Sequence, residues 1–134
     1  MSNKIYKTVE DIVFKYKTRN PFELCEKLGL TVKYVNYGKG FIFNSCLIQI
    51  NNKKYTEVST YVICAHELGH AILHKGDSTN CFDRNDTLEK IEKDRQANVF
   101  AAYLLFKDDN DIKFKNMNSY MIKNFIDSYI EEVK

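Results

Sequence analysis

Tryptophan is missing from this 134-residue chain, no apolar run comes near 18 residues, and the charges form no block of one sign. Each absence narrows the field. Without a long apolar run no membrane-spanning helix is expected, and the start MSNKIYKTVEDIVFKYK has neither the apolar core nor the small-residue cleavage site of a secretory leader. The 20 basic and 18 acidic residues, a formal charge of +2, are scattered along the chain. No basic stripe is therefore on offer to neutralise phosphates, and direct nucleic-acid binding is not expected. Cys25, Cys46, Cys64 and Cys81 form no CxxC pair, which excludes zinc-ribbon and thioredoxin-like motifs. Such thiols act mostly as small buried hydrophobes, and they suit the reducing cytoplasm, the expected address.

What is present describes a globular chain. Hydrophobic residues make up 44% and charged ones 28%, which argues against disorder, and nine Tyr with nine Phe supply large buried area in place of tryptophan. The length fits one domain over residues 1–134. No internal repeat or linker divides it.

Ile5, Val9, Ile12, Val13 and Tyr16 recur at helical spacing up to TRNP. NPFELCEKLGL then restarts a helix, with Asn20 as N-cap, Pro21 at the first helical position, Gly29 just past the end, and Phe22, Cys25 and Leu28 packing inward. LTVKYV, FIFN and CLIQI are short runs rich in β-branched and aromatic residues. They predict a small three-stranded antiparallel sheet. A helix follows from about Tyr55 to His74, begun by Thr56 or Ser59. KGDSTNCFDRND (75–86) reads as a loop, and Leu88, Ile91, Arg95, Asn98 and Ala102 mark a further helix to about Phe106. KDDND breaks it, and Tyr120, Met121, Phe125, Tyr129 and Val133 give the apolar face of a last helix. The fold class is thus α+β, a three-stranded sheet packed with about five helices.

All three histidines of the chain lie in CAHELGHAILH, residues 64–74. Helical residues four apart share a face and stand about 6 Å apart along the axis, so His66 and His70 can aim at one ion. His74 cannot join them: it lies roughly 12 Å beyond His66, whereas zinc–nitrogen bonds are only about 2.0–2.1 Å long. It is expected to be structural or to act from behind the ligands, where a partner accepting its N–H would help orient the end of the helix. Glu67 completes the pattern H-E-x-x-H, placing a carboxylate beside the metal face, where it can take a proton from water made acidic by the ion. Gly69 lets a neighbouring element approach closely. Apolar neighbours Ala65, Leu68, Ala71, Ile72 and Leu73 half-bury the motif, which argues against a chance match on a solvated helix.

A catalytic zinc site wants three protein ligands and one open position. The third must come from elsewhere. Cys81 and Cys64 are chemically competent, although Cys64 sits on another face of the helix. The acids are Asp83, Asp86, Glu89, Glu92 and Asp94, and composition does not choose among them.

HELGHAILH followed about twenty residues later by DRQANVFAAYLL resembles the ImmA/IrrE family of metallopeptidases, and NPFELCEKLGLTVKYV and CLIQINN extend the likeness over roughly residues 20–106. The resemblance implies a zincin-like active helix within a single domain and a peptidase that cleaves a helix-turn-helix repressor, releasing genes of a prophage, mobile element or stress regulon. In the family's second motif an acid about three positions before an Ala-Asn pair completes the metal site. Asp94 holds that place before Ala97 and Asn98, with Glu92 as fallback. The usual residue is Glu; Asp is one methylene shorter, so its helix must stand closer to the ion. Asn98 can then bond a ligand or the loop. A proline often found after the family's LL is absent, leaving the path of the last segment open.

The reading is a zinc-dependent endopeptidase in which His66, His70 and Asp94 hold the metal and Glu67 is the catalytic base. Mn²⁺ or Fe²⁺ fits the same ligands. The expected partner is a separate repressor protein, held in extended form along a strand edge offered by FIFN or CLIQI. The alternatives are a non-catalytic anti-repressor or toxin–antitoxin-like partner that keeps the fold, and a domain in which a metal is purely structural.

Overall fold

The computed structural model describes residues 2–75, 88–107 and 114–134. The expected loop at 75–86, with Cys81, Asp83 and Asp86, lies beyond Lys75 outside the described residues, as does most of the KDDND breaker.

Helix α1, Ser2–Tyr16, turns Ile5 and Val9 fully into the core, with Ile12, Val13 and Tyr16 packed beside them. Lys17 ends it at φ 59°. Arg19 then ties two elements together: one guanidinium nitrogen pairs with Glu10 (2.7 Å) and the other donates to the carbonyls of Tyr103 (3.0 Å) and Leu104 (3.2 Å). Helix α2, Pro21–Lys27, is capped as its sequence dictates. The Asn20 side chain accepts from the N–H groups of Phe22 (2.9 Å) and Glu23 (3.4 Å). At the other end Gly29 takes φ +80°, its N–H donating to the Glu26 carbonyl (3.2 Å) and that of Leu30 to Cys25 (2.8 Å). This is a Schellman cap, and it needs a residue free to adopt positive φ.

The sheet comprises β1 (Thr31–Val35), β2 (Gly40–Phe43) and β3 (Leu47–Asn51) in the order β1-β3-β2. The three strands are those expected, but the pairing is mixed instead of antiparallel throughout. β2 and β3 form an antiparallel hairpin, while β1 runs parallel to β3 on its far side. The cause lies in Asn51, which is buried at the end of β3. Its amide nitrogen donates to the Gly38 carbonyl (2.9 Å), its oxygen accepts from the N–H groups of Lys53 (3.1 Å) and Lys54 (3.0 Å), and its own N–H donates to Lys39 (3.0 Å). These bonds carry the β1–β2 connection across the end of the central strand. β3 is therefore interior, and of the two runs expected to offer an edge only FIFN, on β2, does so.

Helix α3, Glu57–Leu73, starts at Thr56, whose hydroxyl accepts from Ser59 N–H (3.3 Å). It packs on the sheet through β2 and β3, on α2, and on helix α4, Leu88–Phe106. Surrounded in this way, the middle of α3 is buried on nearly every side: Cys64, Ala65 and Leu68 are fully enclosed, with Ile48, Leu24 and Phe100 among the core residues contributed by its neighbours. α4 is buried continuously from Ala97 to Leu104, but Leu88 is 85% exposed and Ile91 37%, so the apolar pattern expected to begin at Leu88 does not mark a core face there. α3 has already ended at Leu73, and the first turns of α4 run past it.

A short 3₁₀ turn, Phe114–Asn116, leads to helix α5, Ser119–Asp127, capped by Asn118 on the N–H of Met121 (2.8 Å). Its inward face differs from that expected. Ile122 and Ile126 are buried with Phe125 and Tyr129 beside them, whereas Tyr120, Met121 and Val133 are exposed. Beyond Asp127 the chain does not continue as helix. It returns as an extended segment bridging Tyr55 to Glu132, with Thr56 N–H donating to Glu131 (3.0 Å) and Val133 N–H to Lys54 (2.8 Å). Buried Ser59 anchors it by accepting from the Glu131 N–H (2.7 Å).

Candidate metal centre

His66 and His70, one turn apart on α3, both present Nε2 to a single oxygen of Asp94 on α4, at 3.8 Å and 3.0 Å. The three candidate ligand atoms all lie within 4.8 Å of one another. Zinc bonds of about 2.0–2.1 Å in tetrahedral array place donors roughly 3.3 Å apart, so the spacing is that of one small cation. His70 is almost wholly enclosed (3% exposed), His66 less so (22%), and Asp94 is the open side (44%).

Close approach of α4 makes this possible. A Cβ on Gly69 would stand 3.1 Å from Phe100 Cβ and 3.2 Å from the Ala97 backbone, so only glycine lets the helices meet at this depth without a shift. The short side chain of Asp94 can then reach the histidines. Gly40 plays a similar part on the other side: a Cβ there would meet Ile63 Cγ2 at 2.3 Å and Glu67 Cγ at 3.6 Å. The start of edge strand β2 thus lies over α3 beside Glu67.

The donor set fits a single divalent cation: two imidazoles and one carboxylate, leaving coordination positions for other ligands. The outer hydrogen bonds fit as well. His66 Nδ1 lies 2.8 Å from Asn98 Oδ1, and because an amide oxygen only accepts, His66 donates there and keeps its lone pair on Nε2. Behind His70, its Nδ1 lies 3.1 Å from His74 Nδ1. A lone pair on Nε2 facing a carboxylate repels it unless a cation stands between them. In the protein alone that cation is a proton. Burial disfavours charge on His66, but Asp94 and Glu67 beside it prevail and its pKa is raised above the ordinary 6.5. Asp94 is held well below the usual carboxylate range: burial opposes this, and His66 and His70 outweigh it.

Glu67 is buried and lines, with His66, Asp94 and Asn98, one cavity of about 300 Å³. Its far wall comes from Lys123, Ile126 and Asp127 on α5, with Lys39 and Gly40 at the entry to β2. Lys123 pairs with Asp127 at 2.7 Å.

Of the acids and thiols able to supply a third ligand, Asp94 alone joins the histidines among the described residues. The Glu92 carboxylate faces Arg95 (3.6 Å) and Gln96 (3.4 Å), and Glu89 pairs with Lys93 (3.0 Å). Cys64 packs in the core with its sulfur 3.8 Å from that of Cys25; this neighbour and burial, with Glu67 adding to them, push its thiol far above the ordinary value, so it stays protonated. His74 stands outside the cluster, as its distance along the helix requires. Three participants were not visible in the sequence: Gln96, whose side-chain oxygen lies 2.6 Å from His74 Nε2, and Lys123 and Asp127 on the wall. The wall residues sit in the segment whose path the motifs left open, and Gln96 carries no periodic or spacing signal.

Among the described residues no helix is long and apolar enough to cross a membrane. The sequence profile of the IrrE N-terminal-like domain of the M78 peptidases matches residues 25–129. A Bacillus phage phi105 protein named "Uncharacterized immunity region protein 2" is 34% identical over 122 residues, an alignment covering 81% of this chain and 72% of the phage protein.

Proposed function

This chain belongs to the M78 peptidase family defined by the IrrE N-terminal-like domain, and from that premise we propose that it is a zinc-dependent endopeptidase acting on a helix-turn-helix repressor. The observation that carries the reading is the convergence of His66, His70 and Asp94 beside a cavity that Glu67 also lines. In it the three residues hold the ion. Such an ion supplies Lewis-acid chemistry, polarising a carbonyl oxygen and making water a stronger acid. Glu67 takes the proton from the attacking water and delivers it to the departing amine, as its place against the same cavity allows. Asn98 holds the back of His66 so that Nε2 faces inward. The substrate lies extended along the outer edge of β2, held by backbone hydrogen bonds, with Gly40 letting that strand run close to Glu67.

The repressor is a separate protein controlling a mobile element or prophage. A relative whose name places it in a phage immunity region supports that choice. The test is co-incubation with the repressor encoded beside this gene, with and without chelator, read by intact mass. Two repressor fragments that disappear with chelator are expected. Loss of repressor function with the repressor intact would instead favour the anti-repressor that acts by binding.

A further inference from the structure

His74 is the C-cap residue of α3, with φ −128° and ψ 60°, so the chain leaves the helix there while its N–H still donates to the His70 carbonyl (2.8 Å). The ring folds back toward His70, their centroids 5.2 Å apart. Two contacts then fix hydrogen-bond directions in turn. The Gln96 amide nitrogen faces the Glu92 carboxylate at 3.4 Å, which leaves its oxygen for His74 Nε2 at 2.6 Å. An amide oxygen accepts, so His74 donates from Nε2. When His74 is neutral its lone pair then lies on Nδ1, where it can accept from His70 Nδ1, 3.1 Å away. With its proton on Nδ1, His70 offers the lone pair of Nε2 to whatever cation stands between it and Asp94, a metal ion or, without one, a second proton.

We infer that His74, braced by Gln96, is a positioning residue that fixes the ring and proton of His70 so that Nε2 is presented to a divalent cation. The inference rests on the metal-centre reading. α4 therefore serves the site three times within five residues: Asp94 in the cluster, Gln96 behind His70 through His74, and Asn98 behind His66. His70 is 3% exposed, which leaves little access for water to replace the brace. With His74 removed, a buried Nδ1–H is orphaned, and the ring either turns or moves its proton to Nε2, where it blocks the ion.

The test uses cobalt(II) as the probe, its affinity measured by competition with a chromophoric chelator and its geometry by its visible absorption. His74→Phe keeps a ring of similar size and removes both nitrogens; Gln96→Leu leaves His74 in place and removes its brace. His74→Phe should weaken cobalt binding by roughly 10–100-fold and alter the absorption spectrum. Gln96→Leu should weaken it less, and the double variant should be no weaker than His74→Phe, because both act through one ring. Wild-type affinity and spectrum in His74→Phe overturn the inference; should that variant not fold, wild-type cobalt affinity in Gln96→Leu overturns it equally. A wild-type protein that binds no cobalt overturns the inference and the proposed function together. Cobalt binding weakened as stated, in a protein that cuts no repressor, supports the inference and removes only the peptidase reading.

Discussion

Replacing Gly69 with alanine inserts a methyl group between α3 and α4 at the level of the cluster of His66, His70 and Asp94. That Cβ would stand 3.1 Å from Phe100 Cβ, 3.2 Å from Ala97 Cα and 3.2 Å from Phe100 Cδ1. The first two atoms cannot rotate away, so α4 must retreat by a few tenths of an ångström. Overpacking of this kind costs about 1–3 kcal/mol, and the better helix propensity of alanine returns about 0.5–1 kcal/mol. A net loss of about 1 kcal/mol corresponds to a fall in Tm of about 3–5 °C for a chain of this length. The effect on the metal is more diagnostic, because the retreating helix carries Asp94 and metal–ligand distances tolerate only about 0.2 Å. Zinc affinity should drop by about tenfold. Asp94→Glu adds one methylene: it should weaken binding in the Gly69 protein and partly restore it in Gly69→Ala. Zinc titration against a chromophoric chelator, with thermal unfolding alongside, measures both. Wild-type zinc affinity in Gly69→Ala, or an Asp94→Glu effect equal in the two backgrounds, would show that the Gly69 contact does not set the position of Asp94.

Asp94→Ala should lower zinc affinity by at least about 100-fold while Glu92→Ala leaves it unchanged, both read by the same titration; the reverse order would move the ligand to Glu92. Asn51→Ala removes three side-chain hydrogen bonds from a buried position and should cost about 2–3 kcal/mol in urea unfolding; a loss below about 0.5 kcal/mol would show that the crossover stands without it. For pH the two shifted groups act in opposite directions. The raised pKa of His66 contributes stability that is full below its ordinary 6.5 and is lost as pH rises through the folded value. The lowered pKa of Asp94 contributes stability present above its ordinary 3.8 and lost as pH falls through the folded value. In chelator, the cluster should therefore favour the folded state most between those two ordinary values. Zinc must displace the His66 proton, so its affinity should climb with pH until His66 is deprotonated. Tm against pH with chelator and with zinc tests this, and a zinc affinity flat between pH 5 and 8, read by the same titration, would contradict it.

Local chemistry was legible in the sequence wherever one short segment contained the whole instruction. Asn20, Pro21 and Gly29 specify both ends of α2 without help from elsewhere, and H-E-x-x-H puts two imidazoles on one face because helix pitch requires it. The family pattern picked out Asp94, and Gly69 supplied the close packing that its short side chain needs. What escaped depends on partners distant in sequence. A period-two pattern identifies strands but not neighbours, so it points to an antiparallel place for β1, whereas Asn51 helps hold the connection that crosses β3. On α5, Met121 with Phe125 and Ile122 with Ile126 have the same spacing of four, and only the packed core selects the second pair for burial. His74 was readable as a neighbour of the ligands, but its brace, Gln96, stands on another helix.

The proposed function requires Glu67 and the three-residue cluster to act as one catalytic unit. The most direct measurement is intact-mass analysis of the neighbouring repressor after incubation with zinc-loaded wild-type protein and with zinc-loaded Glu67→Gln. Two fragments summing to the repressor plus one water are expected from the wild type, and intact repressor from Glu67→Gln despite bound zinc equal to that of the wild type. Fragments produced equally by both proteins, or a repressor disabled but uncut by the wild type, would contradict it.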